Sequence, residues 1–350
     1  MRKLPVFFLV DLSESMIGEP IDLVYKGMER LLRSLKKNPY ALETVWIEVI
    51  GFAGKGKILE PYEELPLYYP PDFPIGGGTS LGAGLDLLMQ EIDCHVKRST
   101  YQSKGDWKPL VFLFTDGQPT DDYKISLSKW QEFYKNRCHT LVATLGKSVS
   151  NELLSPLADQ AILLDGEQDK CFESYFKWLT DSIINSSIQV SEGIEPKTNV
   201  DNIGQGLSKI DLSKHDHEDA IIDDNYTVIL GACQKTEEKY LIKYKRGVEI
   251  LDGDVDSFDK VYRLNGVHRL DYDSYKALSG SASKSSLDTK YLRGLPSCPY
   301  CYSAHAFAMC QCGGVFCVDT DTEEQKCAWC GTIAVYGVSE ESFKVDRRQG

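Results

Sequence analysis

Leu4-Pro5-Val6-Phe7-Phe8-Leu9-Val10-Asp11-Leu12-Ser13-Glu14-Ser15 is the stretch from which the rest of the chain is read. An apolar run that ends after about seven residues at an aspartate has the length of a strand buried on both faces. Met1-Arg2-Lys3 ahead of it imitates the start of a secretory leader. The run is short, however, and no small-residue cleavage site follows, so it reads as a strand.

Similar apolar runs recur at Thr44–Phe52, Leu110–Phe114, Thr140–Leu145 and Ala161–Leu164. Between them apolar residues fall at helical spacing: Ile21, Val24, Met28, Leu31, Leu32 and Leu35, then Leu81, Leu85, Leu88, Ile92 and Val96, then Phe172, Tyr175, Phe176, Leu179 and Ile183. Phe52-Ala53-Gly54-Lys55-Gly56-Lys57-Ile58-Leu59 interrupts the alternation and predicts a hairpin with an antiparallel edge strand. Repeated βα units predict a doubly wound α/β domain over 1–190, with a mostly parallel, Rossmann-like sheet. An acidic, linker-like stretch is expected over 191–224, and it contains His215 and His217. A smaller β-rich region follows over 225–340, beginning with strands at Tyr226–Cys233 and Lys239–Tyr244. Ser279–Thr289 reads as a flexible Ser-rich loop and the last ten residues as a frayed charged end.

The 350 residues carry 39 Lys and Arg against 52 Asp and Glu, a formal charge of −13. So acidic a chain is repelled by phosphate backbones and anionic lipid, and nucleic acid is not an expected partner. No window approaches the ~20 apolar residues of a membrane span. Seven of the eleven cysteines crowd between Cys298 and Cys330, which suggests metal in a reducing, cytoplasmic compartment rather than a spread disulfide framework.

In parallel sheets ligands bind beyond the carboxyl ends of the strands. Asp11-Leu12-Ser13-Glu14-Ser15 follows the first strand and Thr115-Asp116-Gly117 follows the strand Leu110–Phe114. Gly76-Gly77-Gly78-Thr79-Ser80-Leu81 opens a helix between them. Singly, these pieces read as N-caps, a turn or a phosphate cradle lacking its lysine. Together, two carboxylates and three hydroxyls form an all-oxygen set suited to Mg²⁺ or Mn²⁺. Residues 1 to about 190 resemble a von Willebrand factor A domain with a metal-ion-dependent adhesion site. Asp11, Ser13 and Ser15 match that family's Asp-x-Ser-x-Ser, Thr79 its central Thr and Asp116 its late Asp. The resemblance implies that the two Ser and Thr79 coordinate the ion, that the two Asp ligate directly or through water, and that a partner's acidic residue fills one vacant position.

Cys298-Pro299-Tyr300-Cys301 and Cys327-Ala328-Trp329-Cys330 are two Cys-x-x-Cys knuckles 25 residues apart, the pattern of a zinc ribbon. Cys298, Cys301, Cys327 and Cys330 are the expected zinc ligands within the module 298–331. Cys310, Cys312, Cys317 and His305 number enough for a second zinc; the alternative is that these cysteines line the intervening hairpin. A von Willebrand A domain ahead of Cys-Pro-x-Cys, Cys-x-Cys-Gly and Cys-x-Trp-Cys-Gly resembles the TerY-type proteins of bacterial tellurium-resistance and stress systems. That resemblance implies a cytoplasmic interaction module working beside a Ser/Thr protein kinase and a metal-dependent, PP2C-like phosphatase.

The expected function is therefore a non-enzymatic adaptor. The alternative is a Mg²⁺-dependent phosphohydrolase with Asp11 as nucleophile. Against it, Ser13 stands where such enzymes carry their second aspartate, and no nucleophile–base pair is apparent in these loops.

Overall fold

A computed structural model describes residues 2–145, 149–196, 203–213, 225–250, 258–280, 285–319, 321–337 and 342–347. The chain divides into two compact units. One comprises Met1–Leu12, Glu19–Phe73 and Thr79–Ile221; the other comprises Ser13–Gly18, Pro74–Gly78 and Ile222–Gly350.

The first unit runs through β1 (Leu4–Asp11), α1 (Glu19–Leu35), α2 (Pro39–Thr44), β2 (Val45–Phe52), β3 (Gly56–Glu64), α3 (Leu81–His95) and β4 (Leu110–Thr115). It continues with α4 (Lys124–Phe133), β5 (His139–Leu145), α5 (Asn151–Leu157), β6 (Gln160–Leu164), α6 (Gln168–Ser191) and β7 (Leu207–Ile210). Its seven-stranded sheet has the order β3-β2-β1-β4-β5-β6-β7. The five middle strands are parallel, and β3 and β7 run antiparallel on the two edges. This is the expected doubly wound, mostly parallel sheet, with β3 as the expected edge strand. β7 lies in the polar stretch expected to be linker, where pairing with β6 through register Leu164↔Leu207 supplies an order that composition alone does not signal.

Every residue of β1 is buried, which is why its sequence shows no alternation. On one face of the sheet, Leu9, Ile50, Phe52, Val111, Leu113 and Val142 form a core with Leu85, Leu88 and Ile92 of α3, Trp130 of α4 and Leu154 of α5. The Trp130 indole N–H donates to the Leu157 carbonyl at 2.9 Å, so this large side chain is buried without an orphaned donor. Elsewhere Phe114 of β4 packs on Phe172 of α6, with ring centroids 5.3 Å apart. Glu48, in the middle of β2, is fully buried; burial first, and then the neighbouring Glu91, push its carboxyl up to about 8.

The second unit contains β8 (Tyr226–Ala232), β9 (Lys239–Ile250), β10 (Phe258–Arg269), α7 (Tyr272–Leu278), β11 (Ser285–Asp288) and β12 (Leu292–Arg293). β13 (His305–Met309), β14 (Val315–Val318), β15 (Glu324–Lys326), β16 (Ile333–Val335) and β17 (Lys344–Arg347) complete it. Six strands form one sheet in the order β12-β10-β9-β8-β14-β13, and β11–β17 and β15–β16 are separate two-stranded ladders. The first of these ladders corrects two expectations. Part of the Ser-rich loop and part of the charged chain end pair with each other, because Leu287 and Val345 meet in register and Val345 is buried. His215 and His217 lie outside the described residues.

Lys243 of β9 is buried, and its ammonium donates to the carbonyls of Ser15 and Ile17, the latter at 3.0 Å. Tyr275 of α7 donates its hydroxyl to Glu14 Oε1 at 2.6 Å, and Glu14 Oε2 accepts from the Gly78 N–H at 3.0 Å. Gly77 donates its N–H to the Ser279 hydroxyl at 2.8 Å. The buried Lys243 and Glu14 are thus each hydrogen-bonded, as burial of charge requires. A Cβ on Gly77 would come within 3.0 Å of Glu14 Oε1, and within 2.9 Å of the Tyr275 and Ser279 hydroxyls.

In the first unit, a Cβ on Gly27 of α1 would lie 2.1 Å from the Phe176 ring of α6. Replacing a helical Gly by Ala ordinarily adds about 1 kcal/mol of stability. Here overpacking outweighs propensity: Gly27→Ala is expected to lose about 2 kcal/mol in urea unfolding, and a more stable variant would contradict this packing.

Candidate metal centres

Parallel pairing of β1 with β4 puts Val10 opposite Phe114, so Asp11 and Thr115 end neighbouring strands at the carboxyl rim of the sheet. The Thr115 hydroxyl donates to Asp11 Oδ2 at 2.7 Å, and both residues are buried. Asp116, the next residue, is also buried. Thr79, at the mouth of α3, is tied to the loop after β4. Its N–H donates to the Thr120 hydroxyl at 2.8 Å, and its carbonyl accepts from the Thr120 N–H at 2.9 Å. The Thr79 hydroxyl oxygen is buried and has no hydrogen-bond partner among the described residues. A buried hydroxyl left so carries a desolvation cost of about 1–3 kcal/mol, which coordination to a cation would remove. The first unit therefore brings Asp11, Thr79 and Asp116 to one end of the sheet. In the second unit Ser13 and Ser15 are both buried, with their hydroxyls 2.9 Å apart.

The cysteines group differently from their order in the sequence. Cys233, Cys298, Cys301 and Cys317 form one tetrad, and Cys310, Cys312, Cys327 and Cys330 form a second, with all ligand atoms of each group within 4.8 Å. The expected zinc ligands Cys298, Cys301, Cys327 and Cys330 are thus divided between two groups. Cys317 joins the first tetrad, Cys310 and Cys312 join the second, and His305 belongs to neither. The reason is strand pairing. β14 runs parallel to β8 with Phe316 opposite Ala232, so the following residues, Cys317 and Cys233, emerge side by side. Cys233 was not among the expected ligands. Seven clustered cysteines are one short of two tetrads, and that shortfall was the available signal.

Each tetrad is held by tight turns. Tyr302 N–H donates to the Cys298 carbonyl at 3.0 Å, and Tyr302 adopts φ 60° to close the knuckle. Gly331 at φ 75° closes the equivalent turn on Cys327, its N–H 3.0 Å from that carbonyl. Gly314 admits Trp329, whose ring would lie 2.3 Å from a Cβ there, and the Trp329 indole donates to the Val315 carbonyl at 2.6 Å.

Sulfur spacing tests whether these groups suit a cation. Four thiolates at Zn–S of about 2.3 Å from one ion stand about 3.8 Å apart by tetrahedral geometry. Cys301–Cys317 is 3.6 Å, Cys310–Cys330 3.7 Å and Cys312–Cys327 3.9 Å, far beyond the ~2.05 Å of a disulfide. The electrostatics agree. At such separations each pair of unscreened thiolates repels by about 4 kcal/mol at an effective dielectric constant near 20. The thiols accordingly split. Against the upward push of burial, hydrogen bonds from Thr236 and the Lys235 backbone bring Cys233 to about 7, while burial raises Cys298 to about 11. The Thr332 hydroxyl lowers Cys330 to about 6. In Cys312 the hydrogen bond from Gly314 is overcome by burial and the adjoining thiols, which raise it to about 12. A divalent ion would remove this conflict by holding all four sulfurs as thiolates.

The tetrads predict a specific pattern of metal content. Cys298→Ser with Cys317→Ser is expected to remove one bound ion per chain, whereas Cys298→Ser with Cys327→Ser removes two. The reverse pattern would contradict the grouping.

Residues 223–350 match the family model of the TerY-C metal binding domain. No curated protein matches the chain. Among solved structures, a von Willebrand factor type A protein from Catenulispora acidiphila is 12% identical with a TM-score of 0.39, covering 53% of this chain and 43% of that one. The ArnB paralog VWA2 from Sulfolobus acidocaldarius is 12% identical with a TM-score of 0.37, over 79% of this chain and 69% of that one. Proximal thread matrix protein 1 from the mussel byssus, solved with a zinc occupied MIDAS motif, is 16% identical with a TM-score of 0.36, over 53% and 46%. This chain thus spans less than half the length of the first and third of these proteins. The match to the TerY-C metal binding domain thus falls on residues 223–350, which hold both cysteine tetrads, and lies C-terminal to the seven-stranded sheet.

Proposed function

We propose that the chain is a non-enzymatic adaptor that recognises partner proteins through a cation-dependent site. Asp11, Ser13, Ser15, Thr79 and Asp116 would hold Mg²⁺ or Mn²⁺, and a partner's Asp or Glu would complete the coordination. The observation that carries this reading is the buried Thr79 hydroxyl, without a partner among the described residues, beside the end of a sheet that also bears Asp11 and Asp116. The donor set supports it further. Oxygen ligands alone suit a hard cation, and two carboxylates leave enough net positive charge to attract a third from outside.

The two cysteine tetrads would each hold Zn²⁺ as closed structural sites, joining turns from separate parts of the second unit. By resemblance, the partners are a Ser/Thr protein kinase and a PP2C-like phosphatase of a bacterial tellurite or stress response in the cytoplasm. No helix among the described residues is long and apolar enough to cross a membrane. A phosphohydrolase using Asp11 as nucleophile fits less well. The residue two places on is Ser13 rather than an acid/base, and Asp11 Oδ2 already accepts a hydrogen bond from Thr115.

The test is binding of the purified full chain to the kinase and to the phosphatase in Mg²⁺. Asp11→Ala is expected to weaken binding to at least one partner by about tenfold or more, about 1.4 kcal/mol, as EDTA does for the unmodified chain. Equal binding in all three conditions would sink the proposal. Phosphate release from a generic ester, lost in Asp11→Ala, would establish the hydrolase instead.

A further inference from the structure

Glu48 of β2 is fully buried, and neither of its carboxylate oxygens has a hydrogen-bond partner among the described residues. It sits in register with Phe7 of β1, where the pairing of β2 with β3 shifts between Ile47 and Val49. Glu91 and His95 lie one turn apart near the end of α3, with His95 Nε2 3.1 Å from Glu91 Oε2. One ligand atom from each of Glu48, Glu91 and His95 falls within 4.8 Å of the others. The surroundings are aromatic. The Tyr62 ring stacks on His95 at 4.7 Å, on Trp46 at 5.4 Å and on Phe7 at 5.7 Å, while the Lys3 ammonium lies 3.2 Å from the Trp46 ring centroid. His95 is about a third exposed, at 34%, and gives the group a way to solvent.

Two carboxylates this close in an apolar surround cannot both stay charged without a cation between them. Two Glu oxygens and one imidazole are a mixed O/N set, poor for Mg²⁺ and suited to a borderline first-row ion. We propose that Glu48, Glu91 and His95 form a further metal site of the first unit, taking a divalent ion of the Zn²⁺ class with three protein ligands and one open position. The site is separate from the carboxyl rim and from the cysteine tetrads, and it does not depend on the adaptor reading. Glu48 is the residue on which it turns: a carboxylate set amid a core strand with no donor to meet it among the described residues.

The experiment counts zinc in the full chain by plasma mass spectrometry after dialysis against excess Zn²⁺ and removal of loosely held ion. All variants carry Asp11→Ala, so that the rim contributes none. Glu48→Gln and His95→Ala are each expected to hold one zinc fewer per chain than the Asp11→Ala parent. His95→Ala carries the test if Glu48→Gln does not fold, since the imidazole lies at a partly exposed helix end. Equal zinc content in parent and variants would overturn the site and leave a proton shared between Glu48 and Glu91. In that case Glu48→Gln would melt at or above the parent's temperature, with or without zinc.

Discussion

Anionic side chains folded into one buried place repel one another unless protons or a cation stand between them, and every candidate site of this chain is built on that constraint. The cysteine tetrads express it most plainly. Three of their sulfur pairs stand 3.6 to 3.9 Å apart, too far to be disulfides and close enough that four thiolates need a central charge. Within each tetrad some thiols are pulled toward ionisation and others pushed away from it, as expected of coupled groups competing for too little positive charge. The metal would then be part of the fold, since it joins turns from distant parts of the chain.

At the carboxyl rim of the first unit the same constraint is handled more sparingly. Asp11 is partly satisfied by Thr115, and Thr79 keeps a buried hydroxyl in reserve. A site with few carboxylates neutralises a divalent cation incompletely, and that incompleteness is what recognition of an outside acid requires. The second unit contributes order of a different kind. Lys243 caps the carbonyls of Ser15 and Ile17, and Glu14 bridges Tyr275 and Gly78, so the segment bearing Ser13 and Ser15 is fixed by buried, charge-assisted hydrogen bonds.

Much of this is legible in the sequence. The parallel sheet followed from apolar runs without alternation, and its edge strand from the glycines and polar residues of the Phe52–Leu59 hairpin. The residues of the rim were visible because each follows a strand or opens a helix. What escaped was whatever depends on pairing between distant segments. β7 is short and half polar, and only β6 makes it a strand. β11 and β17 order each other across the length of the second unit. Cys233 stands far upstream of the cysteine cluster, and only the parallel pairing of β8 with β14 brings it to Cys317. The division of the knuckles between two tetrads has the same origin, because adjacency in a sheet does not follow adjacency along the chain. Glu48 was hidden for another reason: inside a core strand, a lone carboxylate leaves the apolar pattern nearly intact.

Cations, rather than disulfides or protons, would hold the cysteine clusters together. Native mass spectrometry of the intact, freshly purified chain tests it directly. The account predicts a mass exceeding that of the polypeptide by at least two zinc ions less the protons they displace, with all eleven cysteines reduced on unfolding. A metal-free mass short of pairs of hydrogens, the signature of disulfides, would contradict it.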